Sequence, residues 1–322
     1  MILIVTNRRD FTADYVVLEL NQRGLEYTRL NTEDFPTIVS LSMFESSSSG
    51  TQLELSVQDR LLDLSDVKSV WFRRPVLPQP DPGLRESYSR TLVEKESIEA
   101  IEGLWRILDC NWVSRPDAIR RAESKPLQLH LATKLGFCIP DTLVTNDPEQ
   151  ASDFVNSRDD VICKPLRCGQ VEVHDTLKLI YTNELSREDK DSIHDVSLAP
   201  TLLQERVTKL MDVRVTVIGS RAFSVCIDSQ GNPDSAVDWR RGNTTALRHF
   251  MHALPTAVER KCIELVEILG LQFGAIDLVV REDGEYVFLE INPNGQWAWL
   301  QQKLPQLHLR EALVDVLSGA DL

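Results

Sequence analysis

Apolar residues along this chain fall into two alternating rhythms. Met1–Thr6 is a continuous apolar run of strand length, and Thr12–Arg23 repeats apolar positions at helical spacing up to Gly24, a residue suited to the turn that ends a helix. This predicts a βα opening. Further strands are predicted at Glu26–Asn31, Gln52–Val57 and Lys68–Phe72, with a turn at Ser46–Gly50. Pro75, Pro78, Pro80 and Pro82 mark a connector, because proline offers no N–H to a ladder or a helix interior. From Leu84 to Leu108, residues Leu92, Ile98, Ile101, Leu104, Trp105 and Leu108 share one face with acids opposite, the pattern of a helix lying on a sheet. Trp112–Pro116 closes this first unit.

A second unit opens with a helix from Lys125 to Leu135, stopped by Gly136. It continues through a strand at Thr142–Thr145, a helix capped at Asp147-Pro148-Glu149 and a strand at Val161–Leu166. From Thr201 strands dominate: Thr201–Arg206, Val213–Ile218 and Ala222–Asp228, then a helix at Thr256–Leu269 and the pair Ala275–Arg281 and Tyr286–Ile291 joined by Glu282-Asp283-Gly284. Consecutive hairpins imply an antiparallel sheet. The expected class is α/β with α+β lobes, divided at residues 1–116, 117–200 and 201–322, without internal repeats.

Composition narrows the partners. A chain of 322 residues with 42% hydrophobic and 26% charged residues is globular and has room for two or three cores. Thirty-five basic against 49 acidic side chains leave a net charge of −14, which argues against nucleic acid or an anionic membrane as the main partner. The apolar opening gives way to Asn7-Arg8-Arg9-Asp10, too early for a signal-peptide core or a membrane span, so a cytoplasmic protein is expected. Six cysteines without a CxxC pair read as small hydrophobes; Cys163 and Cys168 are the nearest two, and a redox role for them is disfavoured.

The candidate chemistry concentrates near the C-terminus. Asp277 on one strand of the last hairpin, with Glu290 and Asn292 two apart on the other, can converge as three oxygen ligands if the register sets Asp277 level with Glu290, and such a set suits Mg²⁺. The same alternation also describes a polar row facing solvent. Lys125 starts a helix and Lys164 ends an apolar strand; a lysine in the latter place, followed by Arg167, Gly169 and Gln170, can meet phosphate oxygens, although a single glycine makes a weak phosphate loop. Gln204, Glu205 and Val207 form an edge able to hydrogen-bond an adenine. Asp212 and Arg214 face one side of the next strand, and Arg240 and Arg241 add cations that an anionic ligand would need in so acidic a chain. His249 and His252 could share a helix face but lack a third ligand, and Trp297 and Trp299 are open to either a substrate entrance or packing.

Lys125, Lys164, Gln204-Glu205, Asp212-x-Arg214, Asp277 and Glu290-x-Asn292 occur in the order and approximate spacing of the ATP-grasp ligases. The opening unit with Trp71-Phe72-Arg73-Arg74-Pro75 resembles the N-terminal domain of the graspetide synthetases, ATP-grasp maturases of microviridin-type peptides. The resemblance implies an ATP-grasp fold behind an N-terminal pre-ATP-grasp α/β domain. It implies ATP and Mg²⁺ as cofactors: Lys125 and Lys164 on the α- and β-phosphates, Gln204, Glu205 and Val207 on adenine, and Asp277, Glu290 and Asn292 on the metal. Asp212, Arg214, Arg73 and Arg74 would bind substrate, with Arg214 and Arg240 catalytic.

The implied reaction activates Asp or Glu side chains of a ribosomal precursor peptide as acyl phosphates, which Ser/Thr hydroxyls or Lys amines attack to close ester or amide macrocycles. A leader-bearing acidic precursor and a homodimer are the implied partners; a glutathione-synthetase-like ligase acting on a free amino acid or small peptide, or a non-catalytic ATP-binding protein, are the alternatives. The chain departs from the family pattern in the single-glycine loop at Arg167–Gly169.

Overall fold

The computed structural model describes residues 1–320 apart from 59, 168–169, 174–175, 180–181, 232–234, 236 and 242–246, with 170–173 and 176–179 described by backbone alone. A parallel sheet opens the chain, its strands ordered Tyr27–Asn31, Ile2–Thr6, Ser69–Phe72, Asn111–Val113. Leu3 and Val5 face the helix Ser87–Ile107 through Ile101, Leu104 and Trp105, while Ile2 and Ile4 face the helices Phe11–Gln22 and Leu309–Ser318. Burial on both faces explains why the first strand reads as an unbroken apolar run. Asp10 caps the first helix by accepting from the Thr12 and Ala13 N–H groups, and Gly24 takes the left-handed conformation that stops it.

The expected turn at Ser46–Gly50 is the tip of a hairpin, Ser40–Ser46 with Gly50–Val57, extended by Arg60–Asp63 into a three-stranded sheet. The first of these strands is mostly exposed and its alternation stops after Ser40-Leu41-Ser42-Met43, so the pattern did not disclose it.

Two expected boundaries move. Thr201–Glu205 belongs to the middle sheet, ordered Asn183–Glu184, Val161–Lys164, Thr201–Glu205, Thr142–Thr145, so that unit extends past residue 200. Its own core is small: Ala151, Val155, Val161, Val196 and Leu203. The helices Pro116–Ala122 and Lys125–Lys134, expected to belong to the middle unit, instead bury Ile119, Ala122, Leu129 and Ala132 against Val213, Val215 and Leu278 of the C-terminal sheet. Their apolar faces find more surface on that larger sheet than the middle one offers.

The C-terminal sheet is antiparallel, as expected, in the order Arg248–Met251, Arg221–Asp228, Met211–Ile218, Phe273–Val280, Tyr286–Asn292. One face carries Val213, Val215, Val217, Ile276 and Leu278 onto the helix Thr256–Ile268. The other meets the C-terminal helix at one end, through Ile218 and Phe273, and bears charge at the other. Between Asp277 and Leu278 the register to the last strand shifts: Leu278 lies opposite Phe288 but Asp277 opposite Glu290, leaving Leu289 as the extra residue of a β-bulge.

Candidate active site

Alternation puts Asp212 and Arg214 on the face opposite Val213 and Val215, and pairing sets Arg214 across from Asp277, which lies across from Glu290. Arg214 Nη1 donates to both Asp277 carboxylate oxygens at 2.8 Å, with both residues buried. The Arg214 Nε is buried without a hydrogen-bond partner. Glu290 meets Arg240 Nη1 at 3.2 Å and Lys125 Nζ at 3.7 Å. Burial pushes the Glu290 carboxyl up, but Arg240, Lys125 and Lys164 together outweigh it and hold it below the ordinary glutamate range. Arg240 is itself gripped by Asp238 through two 2.8 Å hydrogen bonds. Against the desolvation that opposes charge, those bonds and Glu290 raise the Arg240 pKa.

The two expected lysines arrive from different elements. Lys164 ends its strand beside Thr201–Glu205 and donates to Gln204 Oε1 at 2.8 Å, a diagonal cross-strand pair; burial lowers its pKa although Glu290 opposes this. Lys125, at the start of its helix, donates to the Pro165 carbonyl at 2.9 Å. The cleft beside these groups, ≈ 630 Å³ of empty space, is lined by Lys164, Gln204, Glu205, Val207, Asp212, Arg240, Asp277 and Glu290 among others. Two side chains there went unnoticed in the sequence: Thr182, and Lys209, whose ammonium lies 2.7 Å from Asp212 Oδ1. The only signal for Lys209 is its position three residues before Asp212.

Other expected placements differ. Arg73 is 1% exposed and turned into the protein, so it does not face a substrate. Arg74, adopting a left-handed backbone, lines an open groove with Phe72, Val76, Leu77, Trp105, Asn292 and Asn294. The Gln204 amide is engaged at both ends, by Lys164 and by Thr142, leaving its side chain to hold the lysine rather than an adenine. Asp212 is buried between Lys209 and Ser229, and burial raises its pKa despite the lysine. His249 and His252 do not share a helix face: they lie on and just past the strand Arg248–Met251 and take separate partners, Lys303 with the Leu247 carbonyl and Tyr286. Trp297 is core, whereas Trp299 packs on Trp239 at the cleft with ring centroids 5.4 Å apart. Arg241 contacts Asn183. Cys168 and Gly169 of the expected phosphate loop lie outside the described residues.

Asp277 and Glu290, with the exposed Asn292 two residues beyond, are hard oxygen donors of the kind Mg²⁺ takes, and the donor set fits that ion. Among the described residues no three His, Cys, Asp or Glu side chains cluster as a metal site; the donors at this edge of the sheet are two carboxylates and one amide.

Residues 1–120 match the family described as the MvdD pre-ATP grasp domain. The whole chain is similar to the macrocyclase MdnC of Microcystis aeruginosa, solved bound with precursor peptide MdnA: 28% identity, 99% of each chain covered, TM-score 0.87. It is also similar to a RiPP-associated ATP-grasp ligase of Chryseobacterium gregarium, solved with ADP and a leader and core peptide: 27% identity, 99% of this chain and 96% of that one, TM-score 0.92. A curated relative, the tetrahydromethanopterin:alpha-L-glutamate ligase of Methanocaldococcus jannaschii, is 22% identical over 211 residues, 63% of this chain and 68% of that protein.

Proposed function

From the family to which this chain belongs, the graspetide synthetases of the ATP-grasp superfamily, we infer an ADP-forming ligase that crosslinks a ribosomal precursor peptide. One observation carries the reading: residues between 13 and 165 positions apart in sequence, Lys125, Lys164, Arg214, Arg240, Asp277 and Glu290, meet around one cleft in alternating charge. In a chain of net charge −14 such a concentration of cations suits a triphosphate and a carboxylate substrate.

In this reading Lys125 and Lys164 hold the α- and β-phosphates, and the edge at Glu205–Val207 holds the adenine. Asp277, Glu290 and Asn292 hold Mg²⁺, which when bound screens the phosphates and polarises the γ-phosphoryl group. A peptide carboxylate enters along the groove bordered by Arg74 and Asn292 and attacks the γ-phosphorus; the bond to ADP breaks and an acyl phosphate forms. Arg240 and Arg214 stabilise the charge that develops in this step. A Ser/Thr hydroxyl or Lys amine of the same peptide then attacks the acyl carbon, gives up its proton and expels phosphate. Alignment supplies most of the acceleration, and no protein nucleophile is needed.

The peptide-bound relatives support the substrate class. Free cysteines at all five described positions support a reducing, cytoplasmic setting, and no described helix is long and apolar enough to cross a membrane. Tyr88 and Leu92, exposed on the helix Ser87–Ile107, support a homodimer along that face, which light scattering would register as twice the chain mass. The curated glutamate ligase favours a second reading, amide formation on a free amino acid. Mass spectrometry of acidic precursor peptides after incubation with enzyme, ATP and Mg²⁺ decides: one water lost per crosslink is expected, whereas ADP release with glutamate alone and no peptide dehydration would favour the second reading.

A further inference from the structure

Arg73 is among the largest fully buried side chains of the protein, and a buried guanidinium needs partners for its donors. Its partners come from two distant parts of the chain. Nη1 donates to the Asn294 carbonyl at 2.5 Å and more weakly to that of Gly295 at 3.3 Å; Nη2 donates to Gln296 Oε1 at 2.7 Å. Nε lies 3.4 Å from Asp10 Oδ2, the helix-capping carboxylate. Thr12, in the first turn of the same helix, donates its hydroxyl to the same Gln296 oxygen at 2.7 Å. Burial lowers the Arg73 pKa to about 10 although Asp10 opposes this, so the side chain is still a cation at neutral pH.

The loop so held directly follows the strand that carries Glu290 and Asn292, and its inner side presses on Arg214. A Cβ on Gly295 would stand 2.6 Å from Arg214 Nη2 and 2.5 Å from the Ala275 Cβ, a space that only glycine leaves free. The Gln296 carbonyl accepts from Arg214 Nη2 at 3.5 Å, while Nη1 of the same arginine holds Asp277. A continuous line of contacts therefore runs from the N-terminal domain, Asp10 and Arg73, through the loop at 294–296, to Arg214 and Asp277.

Resting on the ligase reading above, we propose that Arg73 is a positioning residue: it clamps the 294–296 loop behind Arg214 and thereby fixes the aim of the Arg214–Asp277 pair and of Asn292. It touches neither nucleotide nor peptide. Its main effect falls on turnover, with a smaller one on nucleotide affinity through Asp277 and Asn292, because Lys164 and Glu205–Val207 sit on the separate middle sheet or just after it.

The test uses Arg73→Lys, which keeps the charge but loses the fork, and Gln296→Leu, which removes the acceptor at an exposed position and so spares the fold. Hydrogen exchange of the full chain without ligands reads the loop directly, since the Asn294 and Gly295 amides are bonded to Asn292. In both variants exchange in 292–297 should quicken. With peptide, Arg73→Lys should lower kcat by about tenfold or more, as misplacement of reacting groups does, while KM for ATP rises by a clearly smaller factor. Loop exchange at the wild-type rate overturns the clamp whatever the turnover, and so does a rise in KM for ATP in proportion to the loss of kcat, the mark of general loosening. Should the wild type turn over no peptide, the substrate reading fails, and loop exchange alone still decides the clamp.

Discussion

The two faces of the C-terminal sheet are built from the same strands and obey opposite rules. On one, Val213, Val215, Val217, Ile276 and Leu278 are nearly inaccessible, and any residue of similar shape and apolarity would serve. On the other, Arg214, Asp277 and Glu290 form a row in which each charge is defined by its neighbour. The first face stores stability in area; the second holds ions that are costly to bury singly and acceptable only as a set. Substitutions should therefore separate the faces, stability alone responding on one and both stability and chemistry on the other.

Arg214→Ala should have the largest effect. It leaves the Asp277 carboxylate buried without its cation, which costs about 3–5 kcal/mol in chemical denaturation and abolishes turnover. Removing both partners should cost less than the sum of the single changes, and strict additivity would show that the row is not a unit. Glu290→Gln keeps size and removes charge; kcat should drop about a hundredfold and isothermal titration should register weaker Mg²⁺–ADP binding. Arg240→Ala should reduce kcat more than ATP affinity, and an unchanged kcat would remove Arg240 from the charge-stabilising role. Val215→Ala, on the apolar face, should cost about 2 kcal/mol with kcat unchanged, and a loss of activity beyond the loss of folded protein would erase the distinction between the faces. The smallest effect is in pH. Burial lowers the Lys164 pKa, so its ammonium loses charge earlier on the alkaline side than an exposed lysine, and ATP affinity should weaken as pH rises through that lowered value.

An unbroken apolar run placed the first strand, helical spacing its helix, proline's missing N–H the connector and the Glu282-Asp283-Gly284 turn the last hairpin, because each signal is written within a few residues. The packing partner of a helix is written less locally. Nothing in residues 116–134 says that these helices lie on strands a hundred residues later and not on their sequence neighbours.

The charged row was legible as composition and only conditionally as geometry. Asp277 and Glu290 face one another because Leu289 bulges, and an unbroken ladder would have set Asp277 opposite Leu289. Adjacent arginines show the same limit: one motif contains Arg73 and Arg74, yet a left-handed residue at 74 sends the chain outward while Arg73 turns in. Gln296 and Asp10 carried no sign of their part, since their contacts with Arg73 span 223 and 63 positions.

The C-terminal helix Leu309–Ser318 shares one core with the opening strand, its helix and the end of the C-terminal sheet, so those layers travel together. The middle sheet keeps a core of its own a few residues wide. Jaw and anvil are thus already divided: Lys164 rests on the light piece, while the carboxylates Asp277 and Glu290 are bolted to the heavy one.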